Sequence, residues 1–260
     1  LAGQGTAQFI RNNLYKYIPY NTLFKRVDNI EVLNEGKFEA YANRDSLSYR
    51  ESYNLNDIPT MLRGTLRRPG FSKAWDVFVQ LGMTDDSFEL SNVSTMTCRE
   101  FINSFLEYDI VKSVESKVQD YLSLDKEIMD KLIWLGLFEN KKIGLDRGTP
   151  AQVLQHILES KWSLKADDKD MIVMQHLFEY TLGGKDYKLK SSLVLRGKDQ
   201  TNTAMSMTVG LPVAIAAELI LTDKINMSGV KIPIDKEIYL PVLEKLKEFG
   251  IYFVEEEITD

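Results

Sequence analysis

The spacing of hydrophobic and polar positions changes period twice along the chain, and the changes mark out three stretches. From Asn29 to Val32, and again from Lys37 to Ala42, the pattern predicts short strands around the turn Asn34-Glu35-Gly36. In the second, Phe38, Ala40 and Ala42 interleave with Glu39, Tyr41 and Asn43, the period of a half-buried strand. Ahead of them, Ala7 to Asn13 reads as the end of a helix, followed by a Tyr/Pro-rich connection, KYIPYNTLF. From Phe71 the period lengthens to that of a helix. FSKAWDVFVQLG sets Phe71, Ala74, Trp75, Phe78 and Leu81 on one face, and Gly82 suits a helix stop. TCREFINSFLEY opens with Thr97 and Glu100, the pair of a capping box. KEIMDKLIWLGLF gathers Ile128, Leu132 and Leu135. TPAQVLQHILESKW has Thr149 to cap, Pro150 at the first helical position and Gln152 to close the box.

Alternation then returns. MIVMQHLFEYTL and YKLKSSLVLRG flank Gly183-Gly184-Lys185-Asp186 and predict a long hairpin, with Ile172, Met174, Phe178, Tyr180 and Leu182 sharing one face. TAMSMTVGLPVAIAAELIL reads as an apolar helix that Gly210 and Pro212 break or bend. Asp235 caps a last amphipathic helix ending at Gly250, and IYFVEEE is a final strand. The pattern predicts an α/β fold, α+β-like, with a mixed β-sheet and flanking helices. Residues 1–70 and 170–260 form the α/β domain, and 71–169 form an inserted helical subdomain.

Composition narrows the function. The 260 residues carry a formal net charge of -6, and 44% are hydrophobic, enough for a substantial core. An acidic chain lacks the basic surface that general nucleic-acid binding needs. Cys98 is the only cysteine, so no intrachain disulfide forms, which fits a reducing, cytoplasmic setting. No uninterrupted apolar run reads as long enough to span a bilayer, and no membrane partner is expected. The N-terminus lacks the layout of a signal peptide, and the chain begins on Leu1, as a processed or cut chain would.

Common catalytic sets are missing. His156 and His176 fall on different elements without metal-ligand spacing, so no metal is expected. GQGTAQ at Gly3 lacks the third glycine, the preceding strand and the acidic residue of a dinucleotide loop. What stands out is an arginine cluster. Tyr41 to Phe71 holds Arg44, Arg50, Arg63, Arg67 and Arg68, half of the ten arginines in the chain. Asp45, Glu51 and Asp57 lie in the same stretch and offer local ion pairing. The alternative is a site for a multiply charged carboxylate, since a guanidinium presents a planar fork of donors that matches a carboxylate two-to-two. Arg63 and Arg67 share a face in a helix and also in an extended segment, so spacing leaves both readings open.

Four blocks, NRDSL, RGTLRRPGF, AMSMTVGLPVAIAAELIL and KEIYLPVLEKLKEFGI, occur in order from about Phe38 to the end. Together they resemble the saccharopine dehydrogenase family, in its glutamate-forming branch. The resemblance implies the substrate-binding and dimerisation part of an oxidoreductase of lysine metabolism, with an N-terminal Rossmann domain absent from this chain. It implies NADP or NAD as cofactor in the full-length enzyme, bound by that missing domain, and no cofactor or catalytic residue here. It implies a homodimer and a small multi-carboxylate substrate, saccharopine, which carries three carboxylates. Residue by residue, the resemblance places Arg44 on a substrate carboxylate and Thr65, Leu66 and Arg67 along the same site, with Arg63 structural. Two other functions share these features. Carboxy-polyamine dehydrogenases of the same superfamily take substrates with fewer carboxylates, and a non-catalytic anion-binding dimerisation module needs no cofactor.

Overall fold

The computed structural model describes residues 2–258, and their contacts gather into two compact units, Leu1–Glu31 with Lys37–Ser163, and Val32–Gly36 with Leu164–Asp260. The first unit opens with a hairpin of β1 (Ala7–Arg11) and β2 (Leu14–Ile18). The pattern had suggested a helix end here. Asn12 and Asn13 both take positive φ, 51° and 62°, and make the two-residue turn whose twist matches paired strands. A short helix α1 (Tyr20–Leu23) leads to β3 (Val27–Glu31), β4 (Lys37–Ala42) and, after α2 (Ser48–Ser52), β5 (Gly64–Arg67). These strands form an antiparallel sheet in the order β3-β4-β5. The middle strand β4 pairs on both edges, and the core packs on the Tyr41 face as well, so Tyr41 is as buried as Phe38, Ala40 and Ala42.

Helices α3 (Phe71–Leu81), α4 (Cys98–Asn103), α5 (Val114–Leu122), α6 (Lys126–Trp134) and α7 (Pro150–Trp162) complete the unit. Both capping boxes form, Thr97 with Glu100 and Thr149 with Gln152, and Gly82 ends α3 at φ 80°. One hydrophobic core runs from Ala7, Leu23 and Tyr41 through Trp75 and Phe101 to Leu132 and Leu154. The helices therefore share a core with β1 and β4, and the chain divides near Ser163 instead of setting 71–169 apart.

Strand and helix are also fastened through one carboxylate. Glu39 on β4 accepts the backbone N–H groups of Gly70 at 2.7 Å and Ser72 at 3.0 Å, at the N-terminus of α3. Burial would raise its pKa, but these donors and the Lys131 charge outweigh that and hold it below the usual carboxylate value. A depressed folded pKa gives stability that is present above the unfolded value and lost as pH falls through the folded one. Glu39→Gln should lower unit stability by about 1 kcal/mol at neutral pH, as loss of a helix cap does. The deficit relative to wild type should shrink below the carboxylate range, and urea denaturation across pH 3–7 measures it.

The second unit is a sheet with two helices. β6 (Met171–Leu182) and β7 (Lys185–Arg196) form the long hairpin, turned by Gly183 and Gly184 at φ 59° and 78°. β8 (Val254–Ile258) adds to β7, also antiparallel. All three sheets are antiparallel, within an α/β architecture. Leu193, Leu195, Met207, Ile215, Leu219, Val242 and Leu246 make a second core between sheet and helices α8 (Ala204–Leu221) and α9 (Lys236–Glu248). Asp170 anchors the start of α8 by accepting the N–H groups of Ala204 and Met205. Helix α8 runs unbroken through Gly210 and Pro212. Its 18 residues have a mean hydropathy of 1.8, long and apolar enough by length and composition to cross a membrane, which the reading by runs missed. Asp235 stands at the N-cap of α9 without a side-chain cap bond.

Candidate functional site

Strand alternation builds the site. In β5 and the residue before it, every second position, Arg63, Thr65 and Arg67, lines an open cleft of about 470 Å³ in the first unit. Opposite them on β4 and just past it stand Tyr41, paired with Thr65 in the sheet, and Asn43, whose N–H donates to the Arg63 carbonyl at 2.8 Å. The loop after β4 contributes Arg44 and Asp45, and α2 contributes Ser48 and Tyr49. The extended alternative for Arg63 and Arg67 is the one the chain adopts. Gly64 lets the strands close there, since a Cβ on it would lie 3.3 Å from the Tyr41 carbonyl oxygen.

The same alternation removes Leu66 from the lining. It pairs with Ala40 and points to the face away from the cleft. A three-residue motif in a strand cannot put all its side chains on one side.

Arg44 sits in a tightly bolted loop. Its carbonyl accepts from Gln8 N–H at 2.8 Å, and Ser46 N–H returns to the Gln8 carbonyl at 2.9 Å, so β1 grips the loop on one edge. On the other edge Arg63 N–H donates to Ser46 Oγ at 2.9 Å. Arg44 itself takes φ 45°, a left-handed conformation that non-glycine residues adopt at a cost of about 1–2 kcal/mol. Such strain held by surrounding hydrogen bonds is a marker of a functional position. The Asp45 carboxylate is not the partner of these arginine side chains. Its Oδ1 accepts from Leu47 and Ser48 N–H groups and starts α2.

Among the described residues, Arg44, Arg50, Arg63 and Arg67 take part in no ion pair. The local neutralisation that Asp45, Glu51 and Asp57 offered does not form for them. Arg67 lies 5.2 Å over the Phe71 ring and donates to the Leu66 carbonyl at 3.1 Å. Arg63 lies 4.0 Å over Tyr49. Arg68 packs over Phe38 and Arg50 donates to the Tyr15 hydroxyl, both outside the cleft lining. Tyr41 forms the floor. It is 2% exposed. Burial pushes its phenol above the ordinary value, against the Arg67 charge and a hydrogen bond with Thr65. At neutral pH the phenol is therefore a hydrogen-bond donor beside a guanidinium.

Sequence reasoning missed Tyr41, Asn43 and Tyr49 and gave Arg63 a structural role. The signal for the first two was present, because they continue the period-two face opposite Thr65. Cys98 and His156 line a smaller cleft. There burial, with Glu139 nearby, raises the Cys98 thiol and keeps it an unreactive core group. No group of three or more His, Cys, Asp or Glu able to hold a metal occurs among the described residues. Gly3 and Gly5, at φ 68° and 91°, lead into strand β1 and not into a helix, so residues 3–6 do not make the strand-to-helix turn of a dinucleotide loop.

Residues 1–251 match the family described as Saccharopine dehydrogenase C-terminal domain. Saccharopine dehydrogenase [NADP(+), L-glutamate-forming] of Saccharomyces cerevisiae is 32% identical over 232 residues, covering 85% of this chain and 52% of that protein. Mitochondrial alpha-aminoadipic semialdehyde synthase of Bos taurus is 35% identical over 225 residues, 83% of this chain and 24% of its own length. The solved apo structure of the yeast saccharopine dehydrogenase (L-Glu forming) aligns with all of this chain at a TM-score of 0.87 and 27% identity, over 60% of that chain. The chain thus spans about half the length of the yeast relative that it matches.

Proposed function

The chain belongs to the saccharopine dehydrogenase C-terminal domain family, and on that premise we propose that it is the carboxylate-recognition and dimerisation part of an NAD(P)-dependent oxidoreductase of lysine metabolism. The reaction is reduction of the imine between glutamate and aminoadipate semialdehyde to saccharopine, or the reverse. The observation that carries this reading is a cleft in which Arg44 and Arg67 stand without ion-pair partners, beside the Thr65 hydroxyl and the Tyr41 phenol. Each guanidinium is a fork for one carboxylate, and Thr65 supplies a short hydroxyl donor. These residues bind and orient the substrate. The nicotinamide cofactor supplies the hydride, and we place its site in the part of the relatives that this chain does not span. A polyamine substrate would call for free acids in the cleft. The acid lining it, Asp45, has an oxygen committed to the α2 N–H groups, which favours saccharopine. Steady-state assays of the full-length enzyme with saccharopine and with a carboxy-polyamine test the choice. A higher specificity constant for the polyamine sinks it.

The second unit supplies the dimer contacts in this reading. Leu177, Phe178, Tyr180 and Leu182 on β6 are 59%, 48%, 44% and 66% exposed. A small three-stranded sheet with that much exposed apolar surface on its β6 edge calls for a further face to pack on it. A second copy is the simplest cover. Sedimentation of this chain at micromolar concentration should show a dimer, and Leu177→Lys with Phe178→Lys should convert it to monomer. A wild-type monomer would contradict the assignment.

A further inference from the structure

Three guanidinium groups line the cleft, but the family motif accounts only for Arg44 and Arg67. Arg63 was read as structural, yet the backbone already does the structural work at that position. Arg63 N–H donates to Ser46 Oγ, and its carbonyl accepts from Asn43 N–H. The side chain adds a single hydrogen bond, Nη1 to the Asp45 carbonyl at a long 3.4 Å. Tyr49 supports the guanidinium from beneath at 4.0 Å, and a ring stacked on its face leaves the N–H edges unoccupied. Of five donors, one is engaged among the described residues. Gathering three like charges in one cleft of an acidic chain is unfavourable unless an anion completes the set.

We propose that Arg63 is a third carboxylate-binding residue of this cleft, completing with Arg44 and Arg67 a site that selects a tricarboxylate. The proposal rests on the function assigned above, in which the ligand is saccharopine with its three carboxylates. Three forks on one sheet face and its bordering loop then meet three anionic groups. Tyr49 is the positioning residue, since it holds the Arg63 plane in a fixed orientation and lowers the entropy lost on binding. A substrate with one carboxylate fewer leaves one of these exposed guanidinium groups without its two-point contact, and the loss of that contact is the basis of discrimination.

Calorimetric titration of the full-length enzyme with saccharopine at low ionic strength tests it, with folding checked by thermal denaturation. Arg63→Gln keeps the stem over Tyr49 and removes the charge. Arg63→Lys keeps the charge and a cation over the ring but loses the fork. Both should weaken binding about 10- to 100-fold, the usual effect of losing one charge-assisted contact, with unchanged melting. If Arg63→Lys binds within about threefold of wild type, or Arg63→Gln binds as wild type does, Arg63 is not a carboxylate fork while the cleft assignment stands. If folded full-length wild type shows no saturable binding of saccharopine, the cleft assignment itself falls, and the role of Arg63 falls with it.

Discussion

Replacing Arg44 by lysine should damage the full-length enzyme nearly as much as replacing it by alanine. Lysine keeps the positive charge but offers a rotating ammonium where the substrate carboxylate needs two parallel donors. The loop is clamped by Gln8 on one edge and by Arg63 N–H to Ser46 Oγ on the other. It cannot shift to bring a shorter head group into register. Losing one charge-assisted pair of this kind removes about 1.5–3 kcal/mol, or roughly 10- to 100-fold in the specificity constant for saccharopine. Arg50→Ala is the internal control. Arg50 donates to the Tyr15 hydroxyl away from the cleft lining, so its removal should leave that constant within about twofold. A near wild-type Arg44→Lys would show that charge alone suffices. A damaging Arg50→Ala would move the site to the other side of the segment.

Tyr41→Ala should be the most destabilising single change in the cleft. The ring is 2% exposed, packs against Phe24 at a centroid distance of 4.8 Å, and belongs to the core that joins β4 to the helices. Truncating a buried aromatic of this kind costs about 3–5 kcal/mol, from lost burial and from the cavity left behind. That is a large share of the stability of any domain. Tyr41→Phe keeps the packing and removes only the phenol, whose strand neighbour is Thr65. It should cost about 0.5–1.5 kcal/mol. Urea denaturation of both variants separates packing from hydrogen bonding. A loss under about 1 kcal/mol for Tyr41→Ala would mean that the floor can collapse onto the space.

Local rules were readable and long-range ones were not. Thr97 with Glu100 and Thr149 with Gln152 announced their helices because a capping box is complete within four residues. Gly183-Gly184 announced its hairpin for the same reason. Asn12-Asn13 carried an equally local turn signal, but it was passed over in favour of a short apolar run that suits helix or strand alike. The covering of β4 on both faces, which buries Tyr41, depends on strands and helices far away in sequence. So does the sharing of one core by helices that look like an insertion. In the cleft, the motif placed Thr65, Leu66 and Arg67 along one site, and the strand sets Thr65 and Arg67 on one face. The motif carried Leu66 along only because a motif is written in sequence and a strand alternates. Arg63 was read as structural, and nothing in its sequence neighbours foretells the ring of Tyr49 beneath it.

The left-handed backbone at Arg44 has a consequence for how this position can evolve. Glycine would adopt φ 45° without the clash that arginine suffers there. Its gain of about 1 kcal/mol in the folded chain is similar in size to the extra freedom glycine has when unfolded. Arg44→Gly should therefore melt close to wild type while its carboxylate fork is gone. Selection for thermal robustness alone would not notice the exchange and would not preserve the arginine. Under the proposed function only selection on the ligand does so, which makes this position one where a library screened for folding accumulates inert but well-behaved proteins.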